Sequence, residues 1–149
     1  QRMSAGSGIV HSEINEGEGP CRLLQIWIEP SSSGIAPDYE QKPFAISAGW
    51  TLLLDPQRRD GAMAIARPVR LWRAQPSAGT CLPLELPADG QAWLQLISGN
   101  GQLGSSEPAD PLPLVQGDGV GFRPSPGQTE PAWFETGALG ADLLLFELR

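Results

Sequence analysis

His11 and Glu13 are the residues whose types and spacing could most readily do chemistry. They stand two positions apart, and His11 is the only histidine of the chain. In an extended strand, residues i and i+2 point to the same face, so both side chains can reach a common point. An imidazole and a carboxylate are typical ligands of iron, manganese, nickel or zinc, but such centres usually take roughly three or four protein ligands. Spacing alone leaves two interpretations open: part of a metal site, or two solvated polar residues near a strand end.

The rest of the sequence offers little further chemistry. Cys21 and Cys81 are far apart and show no metal or redox spacing, so we expect ordinary buried or half-buried thiols. Glu85 and Glu130 are lone carboxylates, which we expect on the surface. Residues 5–8, Ala-Gly-Ser-Gly, are too short for a nucleotide-binding loop and predict a tight turn that aims His11.

Composition predicts an all-β fold. The chain has 149 residues, enough for one domain with a core of ordinary size. Its 18 glycines and 15 prolines leave no long stretch with a helical apolar period. Short strands separated by turns are the natural outcome, which favours a β-sandwich or barrel over a helical bundle.

Apolar runs bounded by turn residues predict where the strands lie. We expect strands at residues 21–29, 50–54, 62–66, 69–74, 82–86, 92–97, 120–123 and 142–148. Glycines at 99–101 and 117–119 predict turns, and the proline-rich stretch 104–114 predicts an exposed loop. The five tryptophans lie in or beside these strands, which favours core packing for most of them.

Charge and hydropathy argue against two classes of partner. The formal net charge is −7, and the arginines form no patch beyond the Arg58-Arg59 pair and the spaced Arg67, Arg70 and Arg73. Direct nucleic-acid binding needs a basic patch, so we expect none, and Arg58-Arg59 predicts a solvated turn. No run of about 18 apolar residues predicts a membrane span. We therefore expect a cytoplasmic protein.

Five segments, in order along the chain, resemble the pirin family, whose members contain two cupin units. The segments are MSAGSGIVHSE at 3–13, LLQIWIEP at 23–30, GIAPDYEQKPF at 34–44, LLLDPQRRDGAMAI at 52–65 and AWLQLISGNG at 92–101. The resemblance implies a cupin-type double-stranded β-helix, a jelly-roll-like barrel. It further implies that residues 1–33 belong to the first, metal-binding cupin, 34–48 to a connection, and 49–149 to a second, C-terminal cupin that is free of metal.

The same resemblance implies one mononuclear metal in the first cupin, bound by a His-x-His pair on an earlier strand and by the His-x-Glu pair. Only His11 and Glu13 carry over onto this sequence, because the His-x-His strand would lie upstream of Gln1. We expect the chain to be part of a longer protein, or a short form without the front of its first cupin. We expect the metal of the intact protein to be divalent, with iron the first choice and nickel, manganese, copper or zinc as alternatives, and this chain by itself to bind it weakly or to hold none.

The resemblance leaves two main functions open. Pirin-like proteins include dioxygenases that open flavonols such as quercetin, and we expect the intact protein to be such an enzyme and this chain alone to be inactive. The alternative is a regulatory or protein-binding module that uses its metal as a redox sensor; a purely structural role is a third possibility. Residues 21–29 are apolar on both faces and would lack a neighbouring strand, so we also expect a homo-oligomer formed through them.

Overall fold

The structure is a computed structural model, and it describes residues 1–87, 90–106, 110–123 and 131–149. Two long strands form the frame of the protein. They are β6 (Gln91–Ser105) and β9 (Ala132–Leu148), which pair antiparallel along their whole lengths. The register between them shifts twice: β6 has an extra residue between Leu96 and Ser98, and β9 has extra residues where Gly99 pairs with Ala141 and Gly101 with Thr136. Such bulges bend a strand pair and increase its twist, so the pair can line two parts of one core.

Among the described residues, seven shorter strands complete an all-β architecture: β1 (Arg2–Ser4), β2 (Asp38–Glu40), β3 (Thr51–Leu54), β4 (Val69–Ala74), β5 (Cys81–Leu84), β7 (Leu112–Val115) and β8 (Gly119–Phe122). Strands β1 and β2 form a two-stranded sheet of their own. The large sheet has the order β3-β4-β9-β6-β7, with β5 also paired to β9 and β8 also paired to β6. One 3₁₀ turn spans Arg59–Gly61, and the described residues contain no helix that is both long and apolar enough to cross a membrane.

The main core is built mostly from leucines that point inward from the two long strands and their neighbours. Phe134, Leu94, Leu96 and Leu143 are its fully buried large side chains. Strand β5 contributes to the same cluster, so both parts of the bent β6–β9 pair cover one interior. Dense packing of this kind leaves little room for polar ligands.

The long strands correct several predictions about turns and loops. Residues 99–101 do not turn but lie inside β6, because the bulges there absorb the glycines, and Gly99 has a φ of 90°. Residues 117–119 do form a turn, yet the chain continues in the same direction, so that β7 and β8 pair one after the other along β6. The predicted loop 104–114 includes the end of β6 and the start of β7; its residues 107–109 lie outside the described part.

Two predicted strands are wrong. Residues 62–66 contribute only one bridge, between Met63 and Leu54. Residues 21–29 form no strand, because no neighbouring strand among the described residues offers them a hydrogen-bonded edge. They cross the outer face of the large sheet instead, where Ile28 packs against a second apolar cluster that includes Leu71 and Leu144.

The side chains expected in the core are only partly there. Trp50 and Trp72 pack against the main core, whereas Trp27 is 88% exposed and Trp93 is also exposed. Trp27 is exposed because residues 21–29 pair with no strand that could cover it. Cys21 and Cys81 were expected to be buried or half-buried, but both are exposed and free. Cys21 lies in this same uncovered segment, and the side chain of Cys81 points outward from β5, where Leu82 and Leu84 take the inward positions.

Candidate metal-ligand segment and its anchoring

His11 and Glu13 lie in an exposed segment and not in the extended strand that their spacing suggested. Residues 8–30 form no strand. The Glu13 carboxylate accepts a hydrogen bond from the side-chain amide of Gln1, which ties it to the chain start next to β1. Both ligand candidates are therefore accessible to further groups, and Glu13 alone is held by a described contact.

The predicted tight turn before His11 is present. The Gly8 N–H donates to the Ala5 carbonyl at 2.8 Å. Gly6 has a φ of 52°, and a Cβ at this position would lie 2.3 Å from the Ile35 carbonyl oxygen and 2.7 Å from the Pro37 nitrogen. Both the positive φ and the close approach at this position require glycine. The turn is therefore held against residues 35–37, and it ends at Gly8, three positions before His11.

The turn follows a short antiparallel pair, β1 and β2, which we name the N-terminal ribbon. In its register Arg2 lies opposite Glu40 and Ser4 opposite Asp38. The buried Arg2 guanidinium bonds to Asp38 at 2.8 Å and to Glu40 at 3.2 Å through Nη2, while its Nε has no partner among the described residues. The hydrogen bond from Arg2 holds the pKa of Asp38 below its usual range.

Glu40 connects the N-terminal ribbon to residues 58–64, the turn that follows β3 of the large sheet. Its Oε1 accepts a hydrogen bond from Arg58 Nη1 at 2.7 Å, and its Oε2 accepts one from the Ala64 N–H at 3.3 Å. The hydrogen bond from Arg58 holds the pKa of Glu40 below its usual value despite partial desolvation. Arg58 was predicted to lie in a solvated turn; the turn is there, but its charge is paired with the ribbon.

A second group of charges lies behind the same turn. Asp55 is fully buried and accepts hydrogen bonds from the Gln57 N–H at 2.6 Å and from Arg59 Nε at 3.0 Å. Arg70 links Asp55 to the buried Glu147: its Nε lies 3.3 Å from Asp55 Oδ2, and its Nη1 lies 3.1 Å from Glu147 Oε2. Burial acts to raise the pKa of Asp55, but the hydrogen bonds from Arg59 and the backbone outweigh it and the pKa lies below its ordinary value. This network braces the turn and offers no free ligand.

The interior of the large domain is lined by apolar side chains where a metal-binding cupin would need imidazoles. Leu82 and Leu84 of β5 both point into the main core. Glu85, next in the chain, is exposed, and Glu130 lies outside the described residues. At these positions of β5 the described interior therefore presents leucine side chains and no imidazole.

The donor set of the N-terminal segment fits a metal in kind but not in number. His11 provides one imidazole and Glu13 one carboxylate, the ligand types of mononuclear transition-metal sites. Within the described ranges no cluster of three His, Cys, Asp or Glu side chains could hold a metal ion. The two residues fit as part of a ligand set that further groups must complete.

An apolar groove of about 690 Å³ separates residues 22–29 from the outer face of the large sheet. Trp93 lies along it, with its indole across Gly119 and its N–H donated to Gln95 at 3.2 Å. Phe146 and Leu144 form its floor. The groove marks the face where the apolar segment covers the sheet incompletely.

In comparison with known proteins, two stretches of this chain match protein families. Residues 52–148 match the family described as Quercetinase C-terminal cupin domain, and residues 1–28, with His11 and Glu13, match the family described as Pirin. A putative quercetin 2,3-dioxygenase of Pasteurella multocida is 50% identical over 104 residues, 66% of this chain and 44% of the relative. The quercetin 2,3-dioxygenase of Escherichia coli K12 is 38% identical over 101 residues, 67% of this chain and 44% of the relative.

Solved structures agree on the fold. YhhW of E. coli superposes with a TM-score of 0.68 at 24% identity, over 83% of this chain and 48% of that one. The structure of the bacterial pirin YhhW of E. coli in complex with nickel(II) superposes with a TM-score of 0.65 at 24% identity, over 80% of this chain and 47% of that one. The predicted cupin-type fold is thus confirmed, and the chain spans less than half the length of the relatives it matches. This chain belongs to the pirin family of cupin proteins and contains its quercetinase-type C-terminal cupin domain.

Proposed function

We propose that this chain serves in a pirin-like, metal-dependent dioxygenase that acts on flavonols such as quercetin. His11 and Glu13 are two ligands of its single divalent metal. The observation that carries the proposal is the pirin match over residues 1–28, a range that includes this His-x-Glu pair and so supports its role as ligands. The relatives named quercetin 2,3-dioxygenase support the substrate class.

The chemistry of the pair suits this role. Iron is the first candidate, with nickel, manganese, copper and zinc as alternatives, and the nickel complex of the E. coli pirin supports a divalent ion. When bound, such a metal polarises a substrate oxygen and favours its deprotonated form. Glu13 is exposed and ionisable, so we assign to it a second task, acceptance of the hydroxyl proton of the flavonol.

The remaining ligands come, in this proposal, from a His-x-His strand of a first cupin to which residues 1–33 belong. Residues 34–48 connect it to the second cupin, residues 49–149, and the family match over 52–148 supports that division. Because His11 and Glu13 are only two ligands, the 149-residue chain should bind metal weakly and should not oxidise quercetin.

Two measurements test the proposal. First, elemental mass spectrometry after dialysis should find well under one metal per 149-residue chain, and oxygen uptake with quercetin should not exceed that of free metal. Second, the chain is joined behind the first-cupin half of the Pasteurella relative, which should restore one metal and flavonol consumption. His11→Ala and Glu13→Ala should then abolish both, whereas Glu18→Ala, an exposed acid of the same segment, should change neither. Full activity in the His11→Ala protein would refute the assignment.

The same experiment separates the enzyme from the redox-sensing module. A sensor would bind iron that cycles between oxidation states without consuming the flavonol. Oxygen uptake with loss of the flavonol absorbance supports the enzyme, and reversible iron oxidation without either supports the sensor.

A further inference from the structure

A continuous series of contacts runs from Glu13 to the second cupin. Glu13 bonds to the side chain of Gln1, and the Tyr39 hydroxyl donates to the Gln1 side-chain oxygen at 3.3 Å. Gln1 precedes β1, and Tyr39 is the central residue of β2. Glu13 is therefore attached to the N-terminal ribbon through Gln1, which directly precedes β1 and is hydrogen-bonded to Tyr39 of β2.

The ribbon itself is attached to the second cupin mainly through one carboxylate. Glu40 accepts hydrogen bonds from Arg2 on β1, from Arg58 and from the Ala64 N–H, so its two oxygens serve three donors from two parts of the chain. Lys42, two residues further on, adds a hydrogen bond to the Gly61 carbonyl in the same turn. No other side chain of β1 or β2 has a described hydrogen bond to residues 55–64.

The local geometry makes this attachment directional. Arg2 and Glu40 are cross-strand partners, so their pairing also sets the register of the ribbon. Arg58 adopts a φ of 57°, in the left-handed region, which is uncommon for an arginine, and its guanidinium contacts Glu40 at 2.7 Å. Charge-assisted hydrogen bonds of this kind are shorter and stronger than neutral ones and restrict orientation.

We propose that Glu40 is a positioning residue for the His11–Glu13 pair: it fixes the N-terminal ribbon on the turn 58–64 of the second cupin and so sets where the two ligands lie. This inference rests on the proposed role of the pair as metal ligands. It gives the second cupin a part in building the metal site of the first.

The expected size of the effect follows from metal sites in general. Groups that orient ligands without touching the metal typically change metal affinity by about 10- to 100-fold. Glu40 acts through the ribbon and Gln1, one step further away, so the lower end applies. We expect Glu40→Ala to weaken nickel binding at the His11–Glu13 pair about tenfold.

The test uses the ¹⁵N-labelled 149-residue chain and NMR spectroscopy. The heteronuclear NOE of the Met3, Gly6 and Gly8 amides reports order in the ribbon and its turn. Titration with Ni²⁺, a paramagnetic probe, reports binding through broadening of the amide signals of residues 9–14, which every variant retains, and this readout extends to weak affinities. His11→Ala defines the background, and Glu85→Gln, an exposed acid outside the network, is the matched control.

Glu40→Ala should lower the NOE of the three amides and weaken nickel binding, while the core amides of Leu94 and Phe134 stay unchanged. Arg58→Gln removes one contact from a half-exposed arginine, so it should fold normally and give a smaller effect in the same direction. An unchanged ribbon in both variants would overturn the proposal. So would a loosened ribbon with unaltered nickel affinity, because the role of Glu40 would then be structural only.

The outcomes also separate this inference from the function on which it rests. Equal nickel binding by His11→Ala and the unmodified chain would refute the ligand assignment itself, whatever Glu40 does. If His11→Ala loses nickel binding while Glu40→Ala and Arg58→Gln bind nickel as tightly as the unmodified chain, only the positioning role is refuted.

Discussion

Arg73 and Asp142 form a bidentate ion pair between β4 and β9. Arg73 Nε lies 2.9 Å from one carboxylate oxygen and Nη2 lies 2.6 Å from the other. Gln75 adds a third hydrogen bond to Asp142 at 3.0 Å. The hydrogen bonds that Arg73 donates to Asp142 raise the pKa of Arg73 above its usual value. The pair lies where β9 leaves its bend to run between β4 and β6, so it holds the bent frame of the domain at a defined point.

We expect Asp142→Ala to lower the free energy of unfolding by about 1 kcal/mol. Paired charges at a surface contribute about 0.2–1 kcal/mol, and the bidentate geometry and the Gln75 contact place this pair at the upper end. Urea denaturation at neutral pH measures the change. Glu85→Ala is the matched control, since Glu85 has no described hydrogen bond and is exposed. An equal loss in both variants would assign the effect to net charge and not to the pair.

The buried Asp55 predicts a specific dependence of stability on pH. Its folded pKa lies below the unfolded one, because the hydrogen bonds from Arg59 and the backbone outweigh the effect of burial. A carboxylate of this kind contributes stability above its unfolded pKa of about 3.9 and loses it as pH falls through the folded value. Asp55→Asn should therefore lower the free energy of unfolding by about 2 kcal/mol at pH 7. The difference from the unmodified chain should shrink steadily below about pH 4.

Urea denaturation of both chains at several pH values between neutral and acid measures this difference directly. Other carboxylates titrate over the same range, but they are common to both proteins and cancel in the comparison. Asp60→Asn is the control, because Asp60 is exposed in the same turn and asparagine tolerates its φ of 50°. A gap between the chains that is independent of pH would show that Asp55 stabilises by shape and not by charge.

The fold could be predicted from sequence because glycine, proline and alternating apolar residues leave few alternatives to short strands. The extent of β6 and β9 could not, since their glycines are turn formers by local preference. In the folded chain Gly101 allows Phe134 to pack against the backbone, where a Cβ would lie 2.4 Å from its ring. Tertiary packing thus decided between a turn and a bulge, which no local pattern could do.

The candidate site was only partly readable for a similar reason. The His-x-Glu pair was visible in the sequence because its two residues are two positions apart, although its interpretation as metal ligands depended on the resemblance of five segments to the pirin family. The role of Glu40 depends on Arg2 and Arg58, at separations of 38 and 18 positions, which only the fold brings together. The sequence does show two acidic residues, Asp38 and Glu40, that could pair with Arg2. This pattern indicates an ion pair only when the segments of Arg2 and Glu40 are known to lie side by side.

Gly6 predicts how sensitive the ligand segment is to its turn. Gly6→Ala would place a Cβ 2.3 Å from the Ile35 carbonyl oxygen at a positive φ, so the turn must move away from residues 35–37. We expect lower order in residues 5–13, seen as faster proteolysis near the chain start, with an unchanged melting temperature of the cupin core. Gly19→Ala is the control, since a Cβ there has nothing within 4 Å. Equal protease sensitivity of the two variants would contradict the anchoring of this turn.

The exposed apolar segment predicts self-association of the 149-residue chain. Leu23, Leu24, Ile26 and Trp27 are all exposed, and no described strand covers them. Contiguous apolar surface of this kind commonly mediates protein–protein contact. We expect a homodimer or higher oligomer whose mass rises with concentration in light scattering. Leu23→Ser with Trp27→Ser should give a monomer at every concentration, whereas Leu139→Ser, an exposed leucine far from this segment in sequence, should not. Because the first cupin of the full-length relatives would offer these residues a neighbour, joining that half to the chain should abolish the association as well; oligomers that persist in the joined protein would place the contact elsewhere.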